Sequence, residues 1–108
     1  MPDFTFAHRA EGFDDHIDMS IRGYSGLLDD VVSLSRYFVE RKTNVVDIGC
    51  STGKLTARIV EHNKENCPDA NYIGVEIADG FLIDLKDRAK SLPNATFHHP
   101  MDIRDYTF

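Results

Sequence analysis

The sequence predicts an α/β fold in which helices flank a parallel sheet with strand order 3-2-1. Short apolar segments rich in β-branched residues alternate with segments of helical periodicity along the 108 residues. Gly, Pro, Asn and Asp residues separate the two kinds of segment. Because strands that alternate with helices are joined by right-handed crossovers, the strands are predicted to run parallel.

The first predicted element is an amphipathic helix from Tyr24 to Glu40. Its apolar residues recur every three or four positions, as in a helix with one buried face. The residues predicted to turn inward are Leu27, Leu28, Val31, Val32, Leu34 and Phe38. Residues 1–23 mix Phe, His, Asp and Gly without a sustained period, and we expect an arm or lid with a short helix near Phe13 to Ser20.

The rest of the chain is predicted to form three strands separated by two helices. The apolar segments predicted as strands are Asn44–Ile48, Asn71–Ile77 and Ala95–His98. The periodic segments predicted as helices are Gly53–Lys64 and a segment from Asp79 or Gly80 to Lys90. The residues predicted to turn inward from these helices are Leu55, Ile59, Val60, Phe81, Leu82, Leu85 and Ala89.

The composition favours a small globular domain that binds a small molecule or a protein. The chain is 42% hydrophobic, and its net charge of −6 argues against autonomous nucleic-acid binding because phosphate contacts require a basic face. No apolar run reaches the roughly 20 residues of a membrane span, and the amino terminus has no signal-peptide core. Cys50 and Cys67 do not form a CxxC motif, so we expect reduced thiols, no metal site and a cytoplasmic location.

The segment DIGCSTG, residues 47–53, joins the first predicted strand to the following helix. Gly49 permits a sharp turn, Gly53 permits close packing of helix and strand, and residues 50–52 bring backbone N–H groups to the start of the helix. Such a loop favours an electron-rich ligand, and a tight turn without a ligand is the alternative. Cys50 is either a reactive thiol near a helix amino terminus or a small residue that fits the turn.

Acidic residues follow the two other predicted strands. Glu76 stands about 23 residues after Gly53, where dinucleotide-binding folds place an acid that accepts hydrogen bonds from ribose hydroxyls. Asp102 follows the third strand in the segment MDIRDY, where it suits an adenine edge. A solvated strand-end glutamate and an ordinary turn acid are the alternatives. If Glu76 binds the ribose, Glu76→Ala should weaken nucleoside binding at least about tenfold with little change in melting temperature.

At these residues the chain resembles the class I S-adenosylmethionine-dependent methyltransferases, which have a Rossmann-like three-layer fold. DIGCSTG resembles their first motif, with Ser51 in place of the middle glycine, and Glu76 and the DIR segment resemble their second-strand acid and adenine motif. The segment FDDHIDMSIRGYSGLL ahead of a Gly-Cys-Ser loop is most similar to the carboxy-S-adenosylmethionine synthase branch. The resemblance covers only the front half of the family fold: residues 1–23 would be an arm or lid, and residues 24–108 the amino-terminal half of the cofactor domain.

The resemblance implies S-adenosyl-L-methionine as cofactor and a methyl or related group transfer to an acceptor that it leaves open. The implied cofactor contacts are Tyr24, Asp47, Gly49, Cys50, Ser51, Gly53, Glu76, Ile77, Asp102 and Ile103. Tyr24 would meet the methionine end, Glu76 the ribose, and Asp102 the adenine. The alternative is a non-catalytic half-domain that binds the cofactor or a partner protein and is completed by another chain. In both cases we expect the missing carboxyl-terminal half or a second copy to cover the edge of the first strand.

Overall fold

The computed structural model describes Asp14 and residues 23–107, and the structural statements below concern these residues. The helix expected near Phe13 to Ser20, and the arm as a whole apart from Asp14 and Gly23, lie outside them. The α-helices are α1 (Tyr24–Ser35), α2 (Lys54–Asn63) and α3 (Leu82–Ser91), and the strands are β1 (Asn44–Ile48), β2 (Asn71–Val75) and β3 (Ala95–His98). Single 3₁₀ turns span Asp79–Phe81 and Ile103–Asp105.

The three strands form one parallel sheet in the order β1-β2-β3, which confirms the predicted fold class and strand order. In the register of the sheet, Val45 lies beside Tyr72, and Tyr72 beside Ala95. Two residues further along, Asp47 lies beside Gly74, and Gly74 beside Phe97. Since side chains alternate along a strand, these residues share one face of the sheet.

All three α-helices cover this same face. One buried cluster joins α1, α2 and the sheet and contains Val32, Val39, Ile59, Val60, Ala70 and Tyr72, with Val45 and Ala95 packed against it. A second cluster joins α3 to the loop after β1 and contains Cys50, Phe81 and Leu85, with Phe97 packed against it. No α-helix within residues 23–107 packs on the opposite face, where Ile48 is 64% exposed.

Gly74 allows the second cluster to pack directly on the sheet. A Cβ atom at this position would lie 2.5 Å from Cδ1 of Phe97 and 2.9 Å from Sγ of Cys50, both far inside van der Waals contact. The position therefore requires glycine, because any side chain would displace the aromatic ring or the loop that follows β1.

Helix α1 ends earlier than predicted, at Ser35 rather than Glu40. The N–H of Tyr37 bonds to Leu34 O at 2.9 Å, and that of Phe38 bonds to Ser35 O at 3.1 Å. These bonds reach back three residues instead of four, so the chain tightens out of the α-helical path. Val39 then turns into the core, where it is 4% exposed.

Helix α1 buries only one side of the apolar stripe predicted to turn inward, the side that contains Leu28 and Val32. Leu28, Val32 and Ser35 are buried, whereas Leu27, Leu34 and Phe38, all predicted inward, are exposed. The buried face is the one that meets α2, where Asn63 Nδ2 donates a 2.9 Å hydrogen bond to Ser35 Oγ. A polar residue thus replaces the leucine expected in the contact.

Of the other elements, β1 and β3 have the predicted bounds, and α2, β2 and α3 differ from the prediction at their ends. Strand β2 ends at Val75 rather than Ile77, and α3 follows a 3₁₀ turn instead of beginning at Asp79 or Gly80. Phe81 and Leu85 are buried as predicted, but Leu82 and Ala89 are exposed because α3 contacts the sheet along a narrow stripe. No helix in the described part of the chain is long and apolar enough to cross a membrane.

Candidate functional site

The loop between β1 and α2 turns sharply and stays hydrogen-bonded to β2. The N–H groups of Gly49 and Cys50 both donate to Val75 O, at 2.7 and 3.2 Å, so the loop leaves the sheet beside the end of β2. Gly49 and Gly53 have φ angles of 75° and 80°, in the left-handed region that glycine adopts without strain. A Cβ atom on Gly53 would lie 3.3 Å from both Leu85 and Phe97, so Gly53 provides the close packing predicted for it.

Ser51 occupies the left-handed region as well, with a φ angle of 52°. For a residue with a side chain this conformation costs free energy and persists only where the surroundings enforce it. The backbone N–H of Ser51 donates to Oε1 of Glu76 at 2.8 Å. The Glu76 carboxylate is thus one of the groups that hold the loop in this conformation.

Glu76 lies at the end of β2 and is almost completely buried, with 6% of its surface exposed. Its second carboxylate oxygen, Oε2, accepts a hydrogen bond from the N–H of Ala78 at 3.0 Å. Its backbone continues the pairing with the third strand, because Glu76 N donates to His98 O at 3.0 Å and Met101 N donates to Glu76 O at 2.8 Å. These bonds bring the segment after β3 alongside the end of β2.

Asp102 begins the 3₁₀ turn Ile103–Asp105 and is bonded to Arg104. The backbone N–H of Arg104 donates to Asp102 Oδ1 at 2.9 Å, and the guanidinium contacts both carboxylate oxygens. These hydrogen bonds lower the pKa of Asp102 to about 2, so the carboxylate is ionised at neutral pH. Arg104 thereby occupies part of the acceptor surface expected to meet an adenine.

Two adjoining pockets lie at the carboxyl edge of the sheet and share Gly49. A pocket of about 150 Å³ is lined by Ile48, Gly49, Val75, Ile77, Met101, Asp102 and Ile103. A smaller cleft of about 80 Å³ is lined by Asp14, Tyr24, Leu28, Asp47, Gly49, Cys50, Ser51, Thr52, Lys54 and Leu55. Eight of the ten residues predicted to bind the cofactor therefore line one pocket or the other. Glu76 and Gly53 line neither pocket: Glu76 accepts the N–H of Ser51 in the loop, and Gly53 packs against Leu85 and Phe97.

The electrostatics of the cleft are set by buried acids. Asp47 accepts a 2.7 Å hydrogen bond from Thr56 Oγ1. Burial raises the pKa of Asp47, the bond from Thr56 partly offsets this increase, and the charge of Glu76 raises the pKa further. Burial, with the charges of Asp47 and Glu76, also raises the pKa of Cys50 to about 12. The Cys50 thiol thus stays protonated near neutral pH, which favours its interpretation as a small residue that fits the turn.

Several side-chain contacts around the loop have no counterpart in the sequence predictions. Thr56 and Thr52 are buried and polar, Gly74 has no room for a side chain, and Asp14 and Arg88 contact Thr52. Thr56 could have been found from its position one helical turn after the loop, facing Asp47. The Asp14–Thr52 contact joins residues 38 positions apart, and no local pattern signals it.

The fold and the loop have counterparts among known proteins. The crystal structure of DesVI from Streptomyces venezuelae superposes with a TM-score of 0.52 and 25% sequence identity, covering 92% of this chain and 38% of that chain. No family model matches the sequence.

Together with the sequence relatives, this fold and loop place the chain in the class I S-adenosylmethionine-dependent methyltransferase superfamily. The relatives are carboxy-S-adenosyl-L-methionine synthases. That of Aliivibrio salmonicida (strain LFI1238) is 36% identical over 95 residues, which are 86% of this chain and 36% of the relative. That of Vibrio vulnificus (strain YJ016) is 42% identical over 64 residues, which are 58% of this chain and 26% of the relative. The chain thus spans about a third of the length of these relatives.

Proposed function

We propose that this chain binds S-adenosyl-L-methionine and supplies the cofactor-binding half of a methyltransferase or related group transferase. The observation that carries the proposal is the arrangement of two pockets on either side of Gly49, at the edge where all three strands end. Ligands of parallel α/β sheets bind at this edge. A cytoplasmic location is part of the proposal and is supported by two unpaired thiols, Cys50 and Cys67.

The two pockets match the two ends of the cofactor. The cleft lined by Tyr24 and Asp47 would hold the methionine end. The N–H groups of Gly49, Cys50 and Ser51 donate to acceptors within the protein, so the predicted backbone cradle does not support this assignment. The larger pocket has apolar walls from Ile77 and Ile103 with the polar Asp102 at its rim, a composition suited to the flat, polar-edged adenine.

The carboxylate of Glu76, which is bonded to the loop that lines the cleft, has the chemistry of a ribose acceptor. Each carboxylate oxygen accepts one backbone N–H bond. An ionised carboxylate has about four acceptor sites, so the amide bonds leave capacity for hydroxyl groups. The same contacts fix the orientation of the carboxylate, which spares a ligand the cost of ordering it.

The bound cofactor would supply a sulfonium whose methyl carbon is open to attack by a nucleophile. The chain's own residues would position that group and hold its charge, and positioning can contribute roughly 7–11 kcal/mol of the barrier. The carboxylates of Asp47 and Glu76 lie beside the cleft. Burial disfavours the charged form of Asp47 and raises its pKa. A cationic ligand that approaches Asp47 relieves this cost, so the electrostatics favour a positively charged ligand.

The second candidate is a non-catalytic half-domain that binds the cofactor or a protein and is completed by another chain. The open face of the sheet favours it, since Ile48 and Ile77 are both more than 60% exposed. Further exposed apolar side chains lie on α1, at Leu27 and Leu34, and in the turn after it, at Phe38. Exposed apolar side chains grouped in this way are typical of a surface that packs against another protein segment or chain.

Calorimetry followed by a turnover assay separates the two functions. The chain is titrated with S-adenosylmethionine and S-adenosylhomocysteine, and then incubated with labelled S-adenosylmethionine and an extract of small molecules. Release of S-adenosylhomocysteine supports the transferase. Saturable binding without release supports the half-domain. Absence of binding at millimolar nucleoside contradicts cofactor binding in both functions and leaves only a half-domain that binds a protein.

A further inference from the structure

Asp14, Thr52 and Arg88 form a closed ring of polar contacts at the glycine loop. Thr52 Oγ1 donates to Asp14 Oδ1 at 2.7 Å, and Arg88 Nε donates to Thr52 O at 3.2 Å. The ring is closed by an ion pair between Arg88 Nη2 and Asp14 Oδ2, at 3.7 Å. The ring joins a residue of the amino-terminal region, a residue of the loop and a residue of α3.

The buried member of the ring is Thr52, which is 4% exposed and bonded at both its hydroxyl and its carbonyl. The side chains of Asp14 and Arg88 are about one-third exposed, so their ion pair is screened by solvent and is weak by itself. The bonds to Thr52 are the ones shielded from water, and hydrogen bonds to charged groups are stronger than neutral ones.

The charge of Arg88 is shared with a second acid on α3. Burial and the charge of Asp14 raise the pKa of Asp84, and the charge of Arg88 lowers it. Arg88 thus pairs with Asp14 and is near enough to Asp84 to affect its charge. Its contact with the Thr52 carbonyl joins α3 to the loop.

The position of Thr52 matters because Ser51, the residue before it, has the strained φ angle. The Glu76 carboxylate accepts the N–H of Ser51, and Asp14 in the ring accepts the hydroxyl of Thr52. A strained residue persists where the structure on both sides fixes it. The two sets of contacts together therefore define the shape of the loop.

We propose that Asp14, acting with Arg88 through Thr52, is a positioning residue for the nucleoside cleft. This inference rests on the proposed function and adds residues that the loop motif does not contain. Asp14 also lines the cleft, so it both closes one wall and supports the loop opposite. Loss of the ring lets the loop relax from its binding shape, and the affinity for the nucleoside falls.

The test measures S-adenosylhomocysteine affinity by calorimetry on the full chain for Thr52→Val, Thr52→Ser and Asp14→Ala. Thr52→Val keeps the shape but loses the hydroxyl, and we expect it and Asp14→Ala each to weaken binding about fivefold. Thr52→Ser keeps the hydroxyl and should bind within about twofold of the wild type. The double variant Asp14→Ala/Thr52→Val should be no weaker than either single variant, because both remove the same contact.

Asp29→Asn is the matched control. Asp29 accepts a 2.6 Å hydrogen bond from Arg58 and joins α1 to α2 away from the loop, so its loss should leave affinity unchanged. Melting temperatures distinguish positioning from folding, since a purely structural ring would lower the melting temperature with no selective loss of affinity. Unchanged affinity in Thr52→Val and Asp14→Ala overturns the inference but leaves the proposed function intact. A wild type that binds no nucleoside overturns both.

Discussion

Glu76 supports the glycine loop through two backbone N–H groups, those of Ser51 and Ala78. Glu76→Ala therefore removes more than a ligand contact, because it leaves two inward-facing donors without their acceptor. We expect it to lower the free energy of unfolding by about 2 kcal/mol and to weaken nucleoside binding at least about tenfold. The expectation from sequence, little change in melting temperature, did not include these two bonds, because the burial of the carboxylate is not visible in the sequence.

Urea unfolding and calorimetry on Glu76→Ala and Glu76→Gln test this role. Glu76→Gln keeps one side-chain oxygen as acceptor, so it should lose less stability than the alanine variant. An alanine variant that is as stable as the wild type would show that the two amide bonds contribute nothing to folding.

The charge of Asp47 should destabilise the fold and favour ligand binding. The pKa of Asp47 is raised from the ordinary value of 3.8, mainly by burial. The protonated carboxyl therefore stabilises the folded state at low pH, and this stabilisation is lost as the pH rises through the raised pKa. Asp47→Asn keeps an oxygen for Thr56 and removes the charge. It should raise the melting temperature at pH 7, with the gain disappearing below pH 3.8.

The same variant should weaken binding of S-adenosylhomocysteine more than binding of adenosine, which lacks the amino-acid end assigned to the cleft. Calorimetry with the two ligands makes the comparison. Equal losses for both would place Asp47 away from the methionine end.

Among the secondary-structure elements, β2 packs closely against the loop and the cluster under α3 because Gly74 has no side chain. Gly74→Ala places a methyl group 2.5 Å from the Phe97 ring and should destabilise the fold by about 1–3 kcal/mol. Gly26→Ala, in α1, is the control, because no atom lies within 4 Å of its Cβ position. It should stabilise the helix by about 0.5–1 kcal/mol. Thermal melts of both variants check the opposite signs.

Most elements were predictable from local pattern, but their buried faces were less so. The strands and α2 follow from β-branched runs and helical spacing, which are properties of consecutive residues. Helix α1 has two adjacent apolar faces. Which of them is buried depends on the contact between Ser35 and Asn63, which are 28 residues apart. The glycine loop and its acids were visible as a motif. The Asp14–Thr52 contact was not, because it joins residues 38 positions apart in the sequence.

Strand β1 lies at an edge of the described sheet, beside exposed apolar side chains. Gly49 N–H donates to Val75 O, so by alternation the N–H groups of Val45 and Asp47 face β2, and those of Val46 and Ile48 face the open edge. We expect this edge to be covered, by further polypeptide or by a second copy. Hydrogen exchange at Val46 and Ile48 should then be slow. Fast exchange at these two amides in a soluble monomer, with Val45 and Asp47 protected, would contradict this expectation.

At the scale of the whole molecule, one edge of the sheet gathers the features that matter for binding. The turn at Gly49, the buried carboxylate of Glu76 and the segment at Asp102 each come from the end of a different strand. Backbone bonds from Gly49 and Met101 tie the three ends together. The site is therefore a property of the assembled sheet, and no isolated segment of the chain contains it.

The most direct test of this account is a ¹⁵N NMR titration of the chain with S-adenosylhomocysteine. We predict saturable one-to-one binding in which the amides of Gly49 to Gly53, Glu76, Ile77 and Ile103 shift together, with one dissociation constant. The amides of Arg58 and His62, on the outer surface of α2, should not move. Absence of saturation at millimolar ligand, or shifts confined to residues away from the three strand ends, would contradict the assignment of this edge as a nucleoside site.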